Sequence, residues 1–339
     1  AAGNSLCGEV PDGICAELEN SPYPIRCPEE LRTPAFGGRK FSAWRGIGWD
    51  MCGTGIEENM KTTLYMLQEQ STIQMMSYVL QTKEGKLVVI DGGNKQDAQH
   101  LQDTLVRLGG PEPVVELWLL THPHSDHVDA LLEMFSRPHP VKVKRIYSRF
   151  LSYEFYHAND YPGCTDSRTT KEYNEFAAAH PNLCFRYEKG QKFVVGSAEI
   201  TVVHVPEDES LPMNVINNSS VVLRLDADGQ RVLFLGDLGE EAGDRVLAEV
   251  SHEELRADFV QMAHHGQFGV KKSFYEAVAP RACLWNTPQW LWDNTQGNGY
   301  NTGPWKTVEV QGWMRELGVR YHFVTKDGEH ALELPYPLD

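Results

Sequence analysis

The chain has 339 residues, enough for one large domain or two. Its 31 Lys and Arg against 47 Asp and Glu give a formal net charge of −16. That balance disfavours a nucleic-acid partner, whose binding depends on neutralising phosphates, and no apolar run reaches the length of a membrane span. Residues 1 to about 60 show little periodicity and many turn formers, among them Pro22, Pro24, Pro28, Gly37 and Gly38. They read as an extension that wraps a main domain over residues 61–339, anchored by Phe41, Trp44 and Trp49. The chain opens Ala1-Ala2-Gly3 with no initiator Met, which suggests a processed or trimmed end. Cys7, Cys15, Cys27 and Cys52 crowd this stretch, while Cys164, Cys184 and Cys283 are scattered. Two disulfides there would favour an exported protein, reduced thiols a cytoplasmic one. No CxxC pair supports a zinc knuckle.

From Thr62 the texture changes. Thr63–Leu67 and Ser77–Thr82 read as strands, Lys83–Lys86 as a hairpin turn, and Leu87–Ile90 as a buried strand ending at Asp91-Gly92-Gly93. Gln96 to Leu108 reads as a helix closed by Gly109-Gly110. Val114–Leu120 is a second buried strand, so strand, helix and strand make a crossover unit. Val141–Tyr147 reads as one strand, followed by a loop dense in aromatics and a helix near Lys171–Ala179. Lys192–Val205 alternates around a Gly196-Ser197 turn. Val221–Leu225 and Val232–Leu235 flank a polar turn, a helix spans Glu240–Val250, and Ala257–Ala263 is a further buried strand. A helix over 305–316 and a closing hairpin, Tyr321 to Leu334, complete the pattern.

Three strand ends carry chemistry. After Val114–Leu120 comes Thr121-His122-Pro123-His124-Ser125-Asp126-His127, leading into a stretch with helical spacing. Extended backbone throws His122 and His124 to one side. Asp126 and His127 enter the helix and point to a second position. Imidazole nitrogen and carboxylate oxygen are the donors that Zn²⁺ and its neighbours prefer. Four such residues within six positions make a chance polar turn a poor alternative. A carboxylate, Asp237, follows Val232–Gly236, although a helix N-cap would also suit it. His264-His265-Gly266 follows the strand at Ala257–Ala263.

HxHxDH behind a buried strand resembles the signature of the metallo-β-lactamase superfamily, and the resemblance covers roughly residues 62–335. It implies an α/β fold, an αββα sandwich, with its site at one sheet edge. The order of HxHxDH, Asn-Asn-Ser-Ser, Gly-Asp and His-His-Gly looks most like the branch with competence-channel hydrolase domains and teichoic-acid phosphorylcholine esterases. It departs from true β-lactamases, which carry cysteine where Asp237 stands. The resemblance implies two divalent metal ions, Zn with Mn or Fe as alternatives, about 3.5–4 Å apart. One would take His122, His124 and a third-motif histidine. His204 and the pair Asn217/Asn218 both compete for that place. The other would take Asp126, His127 and His265, with Asp237 bridging. Asp91 orients the ligand turn, and His264 binds or protonates the leaving oxygen, so the catalytic set is Asp126, His264 and Asp91. A hydroxide between the metals would attack a phosphoester or phosphodiester of a small-molecule or cell-envelope-type substrate. A nuclease, a lactone, amide or thioester hydrolase, and a metal-binding protein without catalysis are the alternatives. Tyr153, Phe155, Tyr156 and Tyr161 with Trp285, Trp290 and Trp292 are expected on the metal edge, where some would wall a pocket for a choline-type headgroup.

Overall fold

Short β-rich apolar runs separated by amphipathic segments build two sheets with helices outside them. The computed structural model describes residues 60–160, 166–206 and 214–339. The segment with Phe41, Trp44, Trp49 and the four early cysteines lies outside these, as do Tyr161 and Cys164. In chain order the first half holds β1 (Thr62–Met66), β2 (Ser77–Gln81), β3 (Leu87–Asp91), α1 (Ala98–Gly109), β4 (Val114–Leu119), α2 (Ser125–Phe135), β5 (Lys142–Val143), β6 (Ile146–Ser148), α3 (Tyr153–Ala158), α4 (Arg168–Ala179) and β7 (Cys184–Arg186). The second half holds β8 (Lys192–Val195), β9 (Ala198–His204), β10 (Val222–Ala227), β11 (Gln230–Phe234), α5 (Glu240–Glu249), α6 (His252–Leu255), β12 (Phe259–Gln261), α7 (Lys272–Val278), β13 (Ala282–Trp285), α8 (Gln289–Trp292), α9 (Thr307–Glu316), β14 (Tyr321–Val324) and β15 (His330–Leu334).

One sheet runs β15-β1-β2-β3-β4-β6-β7, with β5 also on β4, and the other β14-β13-β12-β11-β10-β9-β8. Alternation decides which side chains face which layer. Leu80, Val88, Ile90, Leu117 and Leu119 meet Ile200, Val202, Leu223, Leu225 and Phe234 between the sheets. The opposite faces, Val79, Val89, Trp118, Leu233 and Val260, pack with Leu101, Leu105, Val128, Leu131 and Phe274 of the helices. The expected αββα sandwich is therefore what forms. Each wholly buried side chain of this kind contributes about 1.5–3 kcal/mol.

The crossover β3-α1-β4 is parallel, pairing Val89 with Trp118, and β11, β12, β13 and β14 are likewise parallel to one another. Parallel strands end at one edge, and that edge gathers the residues that follow them. Val221 N–H donates to Thr121 O at 3.0 Å, tying the two sheets there.

Three expectations are corrected. Residues 141–147 form two short strands, because β5 and β6 join β4 at different points, Val114 with Lys142 and Trp118 with Ile146. The aromatic stretch after them contains α3, whose N-cap Ser152 accepts from Phe155 N–H. Residues 321–334 are not a hairpin. β14 pairs with β13 in one sheet and β15 with β1 in the other, because the tight turn at Thr325–Asp327 and Gly328, at φ 115°, carries the chain across the sandwich.

Candidate metal centre

β4 ends at Leu119, and the turn after it hangs on one buried carboxylate. Asp91, at the end of β3, accepts from Thr121 N–H and Thr121 Oγ–H, each at 2.7 Å, and from His127 Nδ1–H at 2.7 Å. Its own carbonyl accepts from Trp118 Nε1–H at 2.7 Å. Asp91 adopts φ 55°, a conformation costly for a residue with a Cβ. Burial raises the Asp91 carboxyl, and His127 and the Thr121 bonds oppose that rise. His124 is the extended N-cap of α2, so His122 and His124 precede the helix while Asp126 and His127 sit in its first turn. All four are buried.

In the second half Gly236 follows β11 at φ 55°, where a Cβ would meet Thr121 and Ser220 at 2.9 Å. Only glycine passes there without displacement. Asp237 follows at once, its N–H donating to Ser220 Oγ at 3.0 Å. Gln261, buried at the end of β12, clamps the two strand ends. It accepts from Leu235 N–H at 2.7 Å and donates to Gly236 O at 3.1 Å and Met262 O at 2.7 Å. His264 and His265 then both take left-handed backbone, at φ 51° and 53°. Gly266 lies so close under Trp285 that a Cβ would stand 2.5 Å from the ring.

These turns converge. Asp126, His127, Asp237 and His265 form one group whose donor atoms lie within 4.8 Å of one another, and His122, His124 and Asp237 form another. His122 Nε2 is 3.1 Å from His124 Nδ1 and 3.7 Å from Asp237 Oδ2. His127 Nε2 is 3.3 Å from Asp237 Oδ1 and 3.8 Å from Asp126 Oδ1. His265 Nε2 is 3.0 Å from Asp126 Oδ2 and 3.5 Å from Asp237 Oδ2.

The ring tautomers follow from the outer bonds. His127 Nδ1–H is held by Asp91, and His265 Nδ1–H donates to Asn286 O at 2.9 Å. Thr121 Oγ gives its proton to Asp91, so it accepts from His122 Nδ1–H at 3.1 Å. Each Nε2 lone pair is thereby turned inward. His127 Nε2, His265 Nε2 and Asp237 Oδ1 are buried without a well-formed hydrogen bond, an arrangement that cations would satisfy. Burial alone would raise Asp237, but His265, His127, His264 and His122 hold it well below the usual carboxylate range. Burial alone would lower His127 and His265, yet Asp237 and Asp126 push both up, His265 to about 9. His122, with less carboxylate near it, is driven well down by burial.

The sequence-derived residues Asp91, His122, His124, Asp126, His127, Asp237 and His265 are thus brought together. His204 is not. It closes β9 opposite Val222, one strand beyond β10, and the charges around it are Glu249, Lys189 and Arg245. Of the two asparagines, Asn218 serves α5, accepting from Ala242 N–H at 3.3 Å and donating to Glu241 at 3.1 Å. Asn217 faces the cluster, its amide nitrogen 3.3 Å from His264 Nε2. His264 Nε2 lies 3.9 Å from Asp237 Oδ2. Sequence reasoning missed Thr121, whose hydroxyl joins Asp91 to His122, Gln261, whose side-chain amide ties two strand ends, and Asn286, whose carbonyl holds His265; none carries a spacing signal.

The aromatics divide between core and edge. Tyr156 and Trp285 are wholly buried; Tyr156 bonds Ser219 at 2.6 Å and Trp285 packs edge-on against Trp292. Neither walls a pocket. Trp290 is partly exposed, donates to Thr72 O at 2.8 Å and meets Trp305 at 4.8 Å between centroids.

Comparison with known proteins adds the following. The family model described as metallo-beta-lactamase superfamily matches residues 74–265, more than half of the chain. The search of curated proteins finds no significant match. Among solved structures, the metallo-beta-lactamase fold protein YhfI from Bacillus subtilis is similar at TM-score 0.45 and 10% identity, over 80% of this chain and 99% of that one. A diphosphatase from the PhnP family is similar at 0.44 and 12%, over 81% and 98%. Zn(2+)-bound PqqB from Methylobacterium extorquens is similar at 0.35 and 16%, over 56% and 60%.

Proposed function

Because the chain belongs to the metallo-beta-lactamase superfamily, we propose that it is a hydrolase of phosphoesters or phosphodiesters working with two divalent cations, Zn²⁺ or alternatively Mn²⁺ or Fe²⁺. The observation that carries this reading is Asp237, the one side chain common to both donor groups. A carboxylate shared between two cations offsets their mutual repulsion. Such cations, when bound, activate water and draw off the negative charge that develops on substrate oxygens.

His122, His124 and Asp237 would hold one cation, and Asp126, His127, His265 and Asp237 the other. His264 supplies the third nitrogen of the first group in place of His204, since its imidazole stands beside Asp237 and the field of His124 reaches it. Asp91 and Thr121 hold His127 and His122 with their lone pairs inward, so the donor set is rigid before any ligand arrives. In this reading residues 61–339 are the hydrolase domain and residues 1–60 its extension.

The test is metal analysis of the purified protein together with a panel of chromogenic phosphodiesters, phosphomonoesters, lactones and β-lactams. Two equivalents of metal and turnover confined to the phosphoesters are expected. Turnover of lactones or β-lactams alone would replace the phosphoester reading, and metal without turnover of any ester would favour a binding protein.

A further inference from the structure

A second place on the same edge has the makings of a binding site. A cavity of about 620 Å³ opens between the end of β6, α3, α4 and β7, and no residue of the metal cluster lines it. Ser148, Ser152, Tyr173, Cys184 and Arg186 face it, with Glu154 the one carboxylate among the described residues that line it.

Its charge is out of keeping with the chain. Arg186 lies in the field of Arg149, and among the described residues neither guanidinium makes an ion pair with a carboxylate. Their nearest partners are carbonyls at the outer limit of hydrogen bonding, Tyr187 O and Phe150 O, each at 3.5 Å. Arg149 Nε is buried with no partner among the described residues. In a protein of net charge −16, two adjoining guanidiniums without a carboxylate partner among the described residues make a local excess of positive charge. The Tyr173 hydroxyl, on a residue only 3% exposed, makes no well-formed hydrogen bond among the described residues and has only Ser148 and the weakly polar Cys184 thiol beside it. Burial and the nearby Arg149 both lower Arg186, as expected where like charges meet. Burial also raises the Cys184 thiol, against the Tyr173 hydroxyl that opposes the rise.

We propose that this cavity binds a phosphate group, with the Arg186 guanidinium as a two-pronged donor and the Tyr173 and Ser148 hydroxyls as further donors. An anion there offsets the repulsion between Arg149 and Arg186 and offers the Tyr173 hydroxyl a stronger acceptor than the Cys184 thiol. The group is either free phosphate or the remote end of a phosphorylated substrate. The second source has a structural basis. Tyr156 accepts from Leu151 N–H at 3.1 Å and bonds Ser219 at 2.6 Å, so the cavity wall is joined to the turn that carries Asn217.

Cys184 is the reporter. Metal-loaded protein is pulse-alkylated with iodoacetamide, with and without inorganic phosphate, and the Cys184 peptide is quantified by mass spectrometry. At phosphate about twice its dissociation constant the rate should fall about threefold by mass action. The fall should vanish in Arg186→Gln, an exposed position, and shrink in Tyr173→Phe. The second arm, which rests on the phosphoesterase reading, compares KM for esters with and without a second phosphate. A KM raised in Arg186→Gln only for doubly phosphorylated esters assigns the substrate's remote end, and protection with equal KM values assigns free phosphate. Alkylation indifferent to phosphate, with KM unchanged for both esters, overturns the proposal. Protection without turnover of any ester counts against the hydrolase reading alone.

Discussion

The two halves of the sandwich deliver donors to one edge by different means. The first half relies on hydrogen bonds. Thr121 and His127 are fixed by the Asp91 carboxylate, and His122 through the Thr121 hydroxyl, and the donors themselves lie on ordinary extended or helical backbone. The second half relies on steric constraint. Gly236 and Gly266 pass where a Cβ would collide, and His264 and His265 are held in left-handed backbone between them. Two consecutive non-glycine residues there cost on the order of 1–2 kcal/mol each. The lesson is that a carboxylate scaffold fails gradually when altered, whereas a steric scaffold fails as a unit.

The largest expected effect is at the point where the halves meet. Asp237→Ala should lose both metals and all measurable turnover, checked by elemental analysis and activity; retention of one full equivalent would show that the two groups do not share it. Next, Gly266→Ala should destabilise the fold by about 2–4 kcal/mol in urea unfolding, since the new methyl meets the Trp285 ring. If it costs no more than an exposed Gly→Ala, the steric account of the second half is wrong.

His204 separates scaffold from cluster. Burial lowers its pKa to about 4 from 6.5, so it is neutral in the fold and takes a proton more readily when unfolded. Its contribution is present above pH 6.5 and is lost as pH falls towards 4, by about 3 kcal/mol in all. His204→Gln should flatten that acid slope and keep two equivalents of metal, whereas His264→Ala should keep one. Loss of metal in His204→Gln would restore it to the centre.

Asp91→Asn should weaken metal binding by about 10–100-fold, because it disturbs ring orientation and leaves the donors in place. The smallest effect belongs to Asn218→Ala. It should cost about 1 kcal/mol through the start of α5, with metal content unchanged.

Much of the first half was legible because its donors are contiguous. HxHxDH announces a strand end and a helix start in six letters, and Asp91 sits at a visible strand terminus. In the second half the donor positions were legible but their support was not. Nothing in Gln261 or Asn286 marks them in sequence, since a buried amide earns its place only through neighbours brought by other strands. His204 misled for a related reason. A histidine at the end of a strand says which edge it reaches, but not how many strands separate it from the cluster. Trp285 shows the same gap, for a ring after a ligand-bearing strand was needed as the floor beneath Gly266.

β14 and β15 finish different sheets, and this has a consequence for how the chain is made. The first sheet begins with β1 but has its outer edge open until β15 pairs with it; Lys61 and Glu333, joined there by a salt bridge, stand 272 positions apart. The second sheet likewise waits for β14 to cover β13. Neither layer can be completed during synthesis before residues 321–334 have left the ribosome. Until then β1 and β13 stand as the sheet edges, and their unpaired backbone groups are open to pairing with another chain.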